Sequence, residues 1–196
     1  MTDNQMDRRK VLLMLSLIST KLFKNEVMAT SIIKPEKYFF KDDGKIPNSK
    51  LPLLIYRAAL PDKQDATNVT KMFAANNWTN AWDNGIYSYH HYHSISHEVL
   101  GIYAGSASLL LGGESGERLR VTAGDVIIIP AGVGHKKLEA SSDFAVVGAY
   151  PEGRDWDVLK GELGERPRAD ENIASLPIPK SDPLLGVKVG LTKIWS

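Results

Sequence analysis

All five histidines of the chain lie between residues 90 and 135, and four of them stand within His90–His97. Their spacing restricts the fold more than their number does. Gly85 is followed by five residues, His91-Tyr92-His93, four residues, Glu98, six residues and Gly105. Further on, Gly124 is followed by five residues, Pro130-Ala131-Gly132, two residues and His135. Two histidines, a carboxylate and a third histidine, each bracketed by turn-forming glycines, read as a metal site on short strands.

The length suits one domain with a terminal extension, and about 160 residues bury a sizeable core without disulfides. Cysteine is absent, which excludes disulfides, thiolate nucleophiles and Cys-ligated zinc. The formal net charge is +1, and no basic run is interleaved with aromatics, so nucleic acid is not an expected partner. No apolar run is long enough to span a bilayer, so no integral membrane segment is expected in the mature domain.

Residues 1–36 differ in composition from the rest of the chain and read as a separable extension with a short N-terminal helix. Arg8-Arg9-Lys10 precedes the apolar run Val11–Ile18, and Val27-Met28-Ala29 ends the segment with small residues in a V-x-A pattern. A basic region, an apolar region and such an ending match a cleavable export signal with cleavage near 29/30. The arginine pair resembles a twin-arginine signal, although Asp7, Val11, Lys21 and Lys24 depart from that pattern. The alternative is a cytoplasmic protein whose first residues pack as an amphipathic helix or trail as a tail.

Lys37–Phe40 and Leu51–Tyr56 read as strands flanking the turn Lys41–Gly44. Asp65–Trp78 reads as a helix, with Val69, Met72, Phe73 and Asn76 at helical spacing and Asp65 or Thr67 as cap. From Trp82 to Tyr150 the chain reads as β, in the runs Ile86–His93, Glu98–Tyr103, Ser106–Leu111, Leu119–Thr122, Val126–Ile129 and Phe144–Ala149. Short strands at even spacing suggest a sandwich or small barrel. Gly112–Gly116 is a hairpin turn with no nucleotide role, because it lacks the lysine and the strand-to-helix setting of a phosphate loop. After Pro151 the prolines discourage long elements, and the segment reads as an irregular wrapping of the domain.

Residues two apart on a strand share a face. His91 and His93 therefore aim together into the interior, while His90 and Tyr92 point away. Tyr87 and Tyr89 share the inward parity and are expected, with Tyr103, to line a substrate cavity. Glu98 begins the returning strand, and a glycine-rich turn delivers His135. Three imidazoles and a carboxylate suit one divalent transition ion among Fe, Mn, Ni, Co and Zn. In an octahedral ion, four protein ligands leave two positions for water, substrate or O2, which a catalytic metal needs. Tyr89, His97 and Glu139 are candidate acid–base residues. Lys136, beside His135, is a solvated lysine or a steering group for an anion. Trp82 and Trp156 read as packing, and Asp155 and Asp157 as loop charges.

The two segments resemble the two motifs of the cupin superfamily, the first at Gly85, His91, His93, Glu98 and Gly105, the second at Gly124, Pro130, Gly132 and His135. Glu139 stands where those motifs usually end in Asn. Phe40–Gly44, His91–Ser94, His97–Gly101, Ile129–Lys136 and Val147–Pro151 further resemble the uncharacterised YjlB-like group of single-domain bacterial cupins. The resemblance implies an all-β, jelly-roll-like double-stranded β-helix barrel. It places a single cupin domain at 37–196 with a core barrel at about 82–150, and implies a homodimer. It implies His91, His93, Glu98 and His135 as metal ligands, with His97 an alternative to Glu98, since a three-residue gap also occurs in cupins. The six-residue spacing to Gly105 favours Glu98.

Two functions are expected. One is a metal-dependent enzyme of oxygenase, isomerase or lyase type acting on a small oxygen-rich molecule. The other is a non-catalytic barrel that binds or senses a small ligand. A seed-storage-type role does not suit a single short barrel with a complete ligand set.

Overall fold

The computed structural model describes residues 33–196. The expected N-terminal helix, export signal and cleavage near 29/30 lie outside the described residues. Along the chain run β1 (Glu36–Tyr38), β2 (Leu53–Tyr56), α1 (Ala66–Ala75), β3 (Trp78–Asn84), β4 (Glu98–Ala104) and β5 (Ser106–Leu111). They are followed by β6 (Glu117–Thr122), β7 (Val126–Ile129), β8 (His135–Ala140), β9 (Ala145–Pro151), α2 (Arg168–Ser175) and α3 (Leu191–Ile194). The strands form two antiparallel sheets, one of six strands in the order β1-β2-β7-β4-β9-β3 and one of three in the order β6-β5-β8. The all-β, jelly-roll-like expectation holds. The sheets reach beyond the expected span 82–150, because β1 and β2 extend the larger sheet from its β7 side.

Strand parity builds the layers. On β4, Glu98, Leu100 and Ile102 face between the sheets, where Leu100 and Ile102 pack with Leu109 and Leu111 of β5 and Ile127 and Ile129 of β7. Val99 lies on the opposite face of β4, in a second cluster with Leu54, Tyr56, Val126 and Ile128, covered by Val69 and Phe73 of α1 and by Leu191 and Trp195 of the C-terminal segment. The larger sheet is thus buried on both faces. This explains why β2 and β7 are continuous apolar runs (LLIY and VIII) rather than alternating ones. The smaller sheet has one wet face, and β5 alternates accordingly.

Asp65 caps α1, its side chain accepting from the Asn68 amide at 2.8 Å. The helix lies so close to β4 that a Cβ on Gly101 would stand 2.8 Å from both Phe73 and Val69. It ends before the predicted Trp78. Asn77 adopts φ 62°, a left-handed stop, and Trp78 already opens β3. The predicted strand Ile86–His93 does not form either. The segment bends, and only His91 and Tyr92 make isolated bridges, to His135 and Leu159. β8 arises where the sequence suggested only a turn and a ligand.

The C-terminal segment is anchored at Asp182. Its carboxylate, fully buried, accepts from the Tyr56 hydroxyl and from the amides of Leu184, Leu185 and Leu191. Among the described residues no helix is long and apolar enough to cross a membrane.

Candidate metal centre

The bridge between His91 and His135 sets the site. Each backbone amide donates to the other residue's carbonyl, at 3.2 and 2.9 Å, and the two rings lie 4.0 Å apart. Tyr92 turns the other way and is buried beside Ile46 and Ala169. Parity therefore survives locally although no regular strand forms. His93 comes next, its ring 5.5 Å from that of His91 and 5.6 Å from that of His135. A ligating atom from each of the three histidines lies within 4.8 Å of the other two, and all three residues are buried. This triad can hold a metal ion.

Glu98 stands first on β4, facing the triad. Its Oε2 is 3.4 Å from Nε2 of His93 and 3.4 Å from Nε2 of His135. The other oxygen, Oε1, accepts from the Tyr150 hydroxyl at 3.0 Å, which in turn accepts from Trp82 Nε1 at 2.9 Å. The Trp82 ring occupies the space that a Cβ on Gly148 would need, so a glycine at that point of β9 lets the indole reach Tyr150. Trp156 stacks on Tyr150, the centroids 4.5 Å apart and the planes 9° from parallel.

Each imidazole of the triad is oriented through Nδ1. The partners are backbone carbonyls: Tyr89 at 3.4 Å for His91, Val133 at 3.1 Å for His135, and Asp157 for His93. A carbonyl only accepts, so each Nδ1 carries a proton, and Nε2 is the ring nitrogen that each imidazole turns toward the others. Nε2 of His93 and Oε2 of Glu98 are buried without a hydrogen-bond partner. Converging ring nitrogens beside an unsatisfied carboxylate oxygen are what a cation relieves. Burial, then the His135 and His93 charges, push the His91 imidazole down to about 2. Burial pushes the His93 imidazole down, but the Glu98 carboxylate beside it outweighs this and raises it overall. Burial raises the Glu98 carboxyl, but the His93 and His135 imidazoles beside it hold it below the ordinary range.

Beside the triad lies a cavity of about 370 Å³. Of the three tyrosines, Tyr87 stands in its wall and Tyr89 and Tyr103 do not. Tyr89 stacks on Tyr87 outside the wall, and both rings are substantially exposed (41% and 52%), because the bent segment carries them to the rim. Tyr103 lies three residues beyond Leu100 on β4, on the other face, where its hydroxyl donates to Asp83. His97, just before β4, points to the far side from Glu98. Its Nδ1 accepts from the Ala131 amide at 3.0 Å, and its ring lies 5.0 Å from that of Trp195. Glu139 is exposed. β8 carries one residue more than β5 between Lys137 and Glu139, and this irregularity breaks the parity that would aim Glu139 inward. None of the three acid–base candidates reaches the cavity. His90 points away, with its ring nitrogens buried and unpartnered and Nε2 3.6 Å from Glu114.

Sequence reasoning missed Asp157. Its carbonyl orients His93, and its carboxylate accepts from the Ser94 amide and hydroxyl at 2.6 and 2.5 Å. It lies in the irregular segment after Pro151, where no periodicity marks it. Tyr150 sits inside the resembling run Val147–Pro151, which was a signal for it.

Burial, reinforced by the Arg154 charge and opposed by the Pro177 carbonyl, pushes the His97 imidazole down to about 4. Between pH 6.5 and 4 the unfolded chain therefore holds a proton that the folded chain does not. The stabilising contribution is complete above pH 6.5 and is lost as pH falls toward 4, by about 3 kcal/mol. Chemical denaturation from pH 4 to 7.5 should show a shallower acid loss in His97→Gln than in wild type; parallel curves would contradict this.

No protein-family model matches the chain. The uncharacterized protein YjlB of Bacillus subtilis (strain 168) is 42% identical over 161 residues, covering 82% of this chain and 96% of YjlB. Among solved structures, the chain is similar to procruciferin, an 11S globulin from Brassica napus (19% identity, 41% of this chain, TM-score 0.32). It is also similar to a DUF861 family protein from Thermotoga maritima (21% identity, 45% of this chain and 92% of that one, TM-score 0.28). A third is an oxalate decarboxylase variant from Bacillus subtilis (18% identity, 67% of this chain, TM-score 0.33). The chain spans 20% of the globulin's length and 31% of the decarboxylase's.

Proposed function

The chain belongs to the YjlB-like family of cupins, and from that premise we propose that His91, His93, Glu98 and His135 bind one divalent transition metal in a metal-dependent enzyme. The observation that carries this is the orientation of the three imidazoles. Each donates through Nδ1 to a backbone carbonyl, so that three Nε2 atoms and the unsatisfied Oε2 of Glu98 converge. The ion is Fe, Mn, Ni, Co or Zn, since imidazole and carboxylate donors suit all five. Bound there, such an ion supplies Lewis acidity toward a ligand oxygen or, as iron, reactivity with O2. The residues around it orient and exclude water. Tyr150 restrains Glu98 through Oε1 and leaves Oε2 for the centre. Trp82 fixes the Tyr150 hydroxyl, and Trp156 covers its ring. The substrate is a small oxygen-rich molecule, and the reaction is of oxygenase, isomerase or lyase type.

The test is metal content by mass spectrometry on full-length protein purified without a His-tag. About one ion per chain is the expected result. A protein that stays metal-free after reconstitution with all five ions overturns the proposal. Tyr150→Phe should keep the fold and weaken metal retention about 10- to 100-fold against a chelator, because Glu98 loses its restraint. Unchanged retention would remove Tyr150 from this role.

A second reading, a barrel that binds a small ligand without turnover, is favoured by one observation. Tyr89, His97 and Glu139 all stay outside the cavity, which leaves Tyr87 and Tyr150 as the proton-bearing hydroxyls in its wall.

A further inference from the structure

Lys137 is the part of this cavity that metal ligation does not use. On β8, His135 and Lys137 are two residues apart and leave the strand on one face, into the cavity. Lys136 leaves on the other face, where its Nζ pairs with Glu114 Oε1 at 2.7 Å. Among the described residues no carboxylate pairs with Lys137. Its Nζ lies 6.0 Å from the centroid of the Phe144 ring and would stand 3.7 Å from a Cβ on Gly85, another wall residue. Asp83 also contributes to the wall, but its Oδ1 already accepts from the Tyr103 hydroxyl at 2.8 Å.

Charge and shape then restrict the ligand. Three imidazole ligands, the Glu98 carboxylate and a divalent ion sum to a positive centre; Lys137 in the same wall offsets the Asp83 carboxylate without pairing with it, so the metal-loaded cavity stays positive overall. Such a cavity favours an anion. Much of the remaining wall is aromatic. Trp82 lies against Gly148, Trp156 is stacked on Tyr150, and Tyr87 is stacked on Tyr89, so these rings are held by their own partners before any ligand arrives. Preformed aromatic walls suit a flat ligand. The volume falls at the low end for small-molecule sites. The backbone positions of His135 and Lys137 are separated by roughly 7 Å along the strand, about the span of a ring with a substituent at each end.

We infer that the cavity binds a small aromatic carboxylate, its anionic group paired with Lys137 and a second oxygen turned toward the histidine centre. The positive charge of the centre and the placement of that second oxygen rest on the metal-binding proposal; the pairing with Lys137 rests on the unpaired ammonium in the wall.

The test is calorimetric titration of full-length, metal-loaded protein with benzoate, 4-hydroxybenzoate and 4-hydroxybenzamide. It is run on wild type, Lys137→Met and His91→Ala/His93→Ala, with metal content and melting temperature measured on each preparation. The expected result is that wild type binds the hydroxy acid roughly tenfold or more tightly than the amide. Lys137→Met should keep its metal and melting temperature, lose that preference and bind acid and amide alike. Equal binding of acid and amide by wild type overturns the inference. So does a Lys137→Met protein that binds the acid as tightly as wild type, or a wild type that binds neither acid at millimolar concentration. A wild type without metal that still shows the Lys137-dependent preference supports the ligand class and removes only the metal reading. Full metal content without any acid preference removes the ligand class and leaves the metal reading standing.

Discussion

Replacing His91 and His93 together with alanine is expected to reduce the metal from about one per chain to none, while the two-sheet fold persists. The reason for total rather than partial loss is donor count. Two of three converging imidazoles disappear, and Glu98 and His135 alone cannot complete the four-donor set that such an ion takes from a protein. The reason for persistence of the fold is location. Both residues lie in the bent segment between β3 and β4, which joins β8 through the isolated bridge of His91 to His135 and through the Lys137 amide on the Tyr87 carbonyl. That bridge uses backbone atoms, which alanine retains. The metal-free variant does carry a cost, because Glu98 stays buried and loses its His93 neighbour. The companion variant Glu98→Gln separates the two effects, since it removes the charge but keeps the hydrogen-bonding shape. Metal analysis and far-ultraviolet circular dichroism on both variants check the expectation. A double variant that keeps metal would place the ion elsewhere; one that unfolds would show that the centre also holds the domain together.

Asp182→Ala is expected to give the largest loss of stability. Tyr56 donates to Oδ2 at 2.6 Å and Leu191 N at 2.8 Å, while Leu184 N and Leu185 N donate to Oδ1 at 2.9 and 3.0 Å. Alanine leaves four donors without an acceptor, the Tyr56 hydroxyl and Leu191 amide buried and the Leu184 and Leu185 amides part-buried. Unmet donors of this kind cost about 1–3 kcal/mol each in isolation, and partial relaxation brings the sum to about 3–5 kcal/mol. For a domain of this size that lowers the melting temperature by about 10 °C. Loosening of the C-terminal segment should also expose Trp195, whose Nε1 donates to the Pro52 carbonyl at 2.9 Å. A red-shifted tryptophan emission below the melting transition reads this directly. Metal content should not change, because Asp182 contributes nothing to the centre. A variant that melts like wild type would mean that the segment is held by its apolar contacts alone.

The two sites differ in how far the sequence disclosed them. The alternation of His91, Tyr92 and His93 was legible because a one-residue step reverses a side chain wherever the backbone is extended, strand or not. Val69 and Phe73 were legible as one face of α1, since their spacing fits a helix. The end of that helix was not, because Asn77 stops it through a left-handed backbone that Asn tolerates but does not require. The strand expected at Ile86–His93 failed for a related reason. Its alternating pattern satisfies the sheet period, yet the chain must bend there to bring His91 opposite His135.

Local periodicity is carried by neighbours two to four residues apart, so the sequence by itself determined the all-β class and the parity that turns His91 and His93 to one side. It also marked His135 through the glycines around the turn that precedes it. The tertiary structure alone decided which groups support those side chains. The carbonyl that orients His93 comes from Asp157, the hydroxyl that restrains Glu98 from Tyr150, and the carboxylate that anchors the C-terminal segment to Tyr56 from Asp182. Each pairing joins residues more than fifty positions apart, and no spacing in the chain encodes it. The structure also decided the cavity lysine, which is Lys137 rather than Lys136. That choice follows from strand parity with His135, and it became legible only once the structure showed that His135 opens β8 rather than ending a turn.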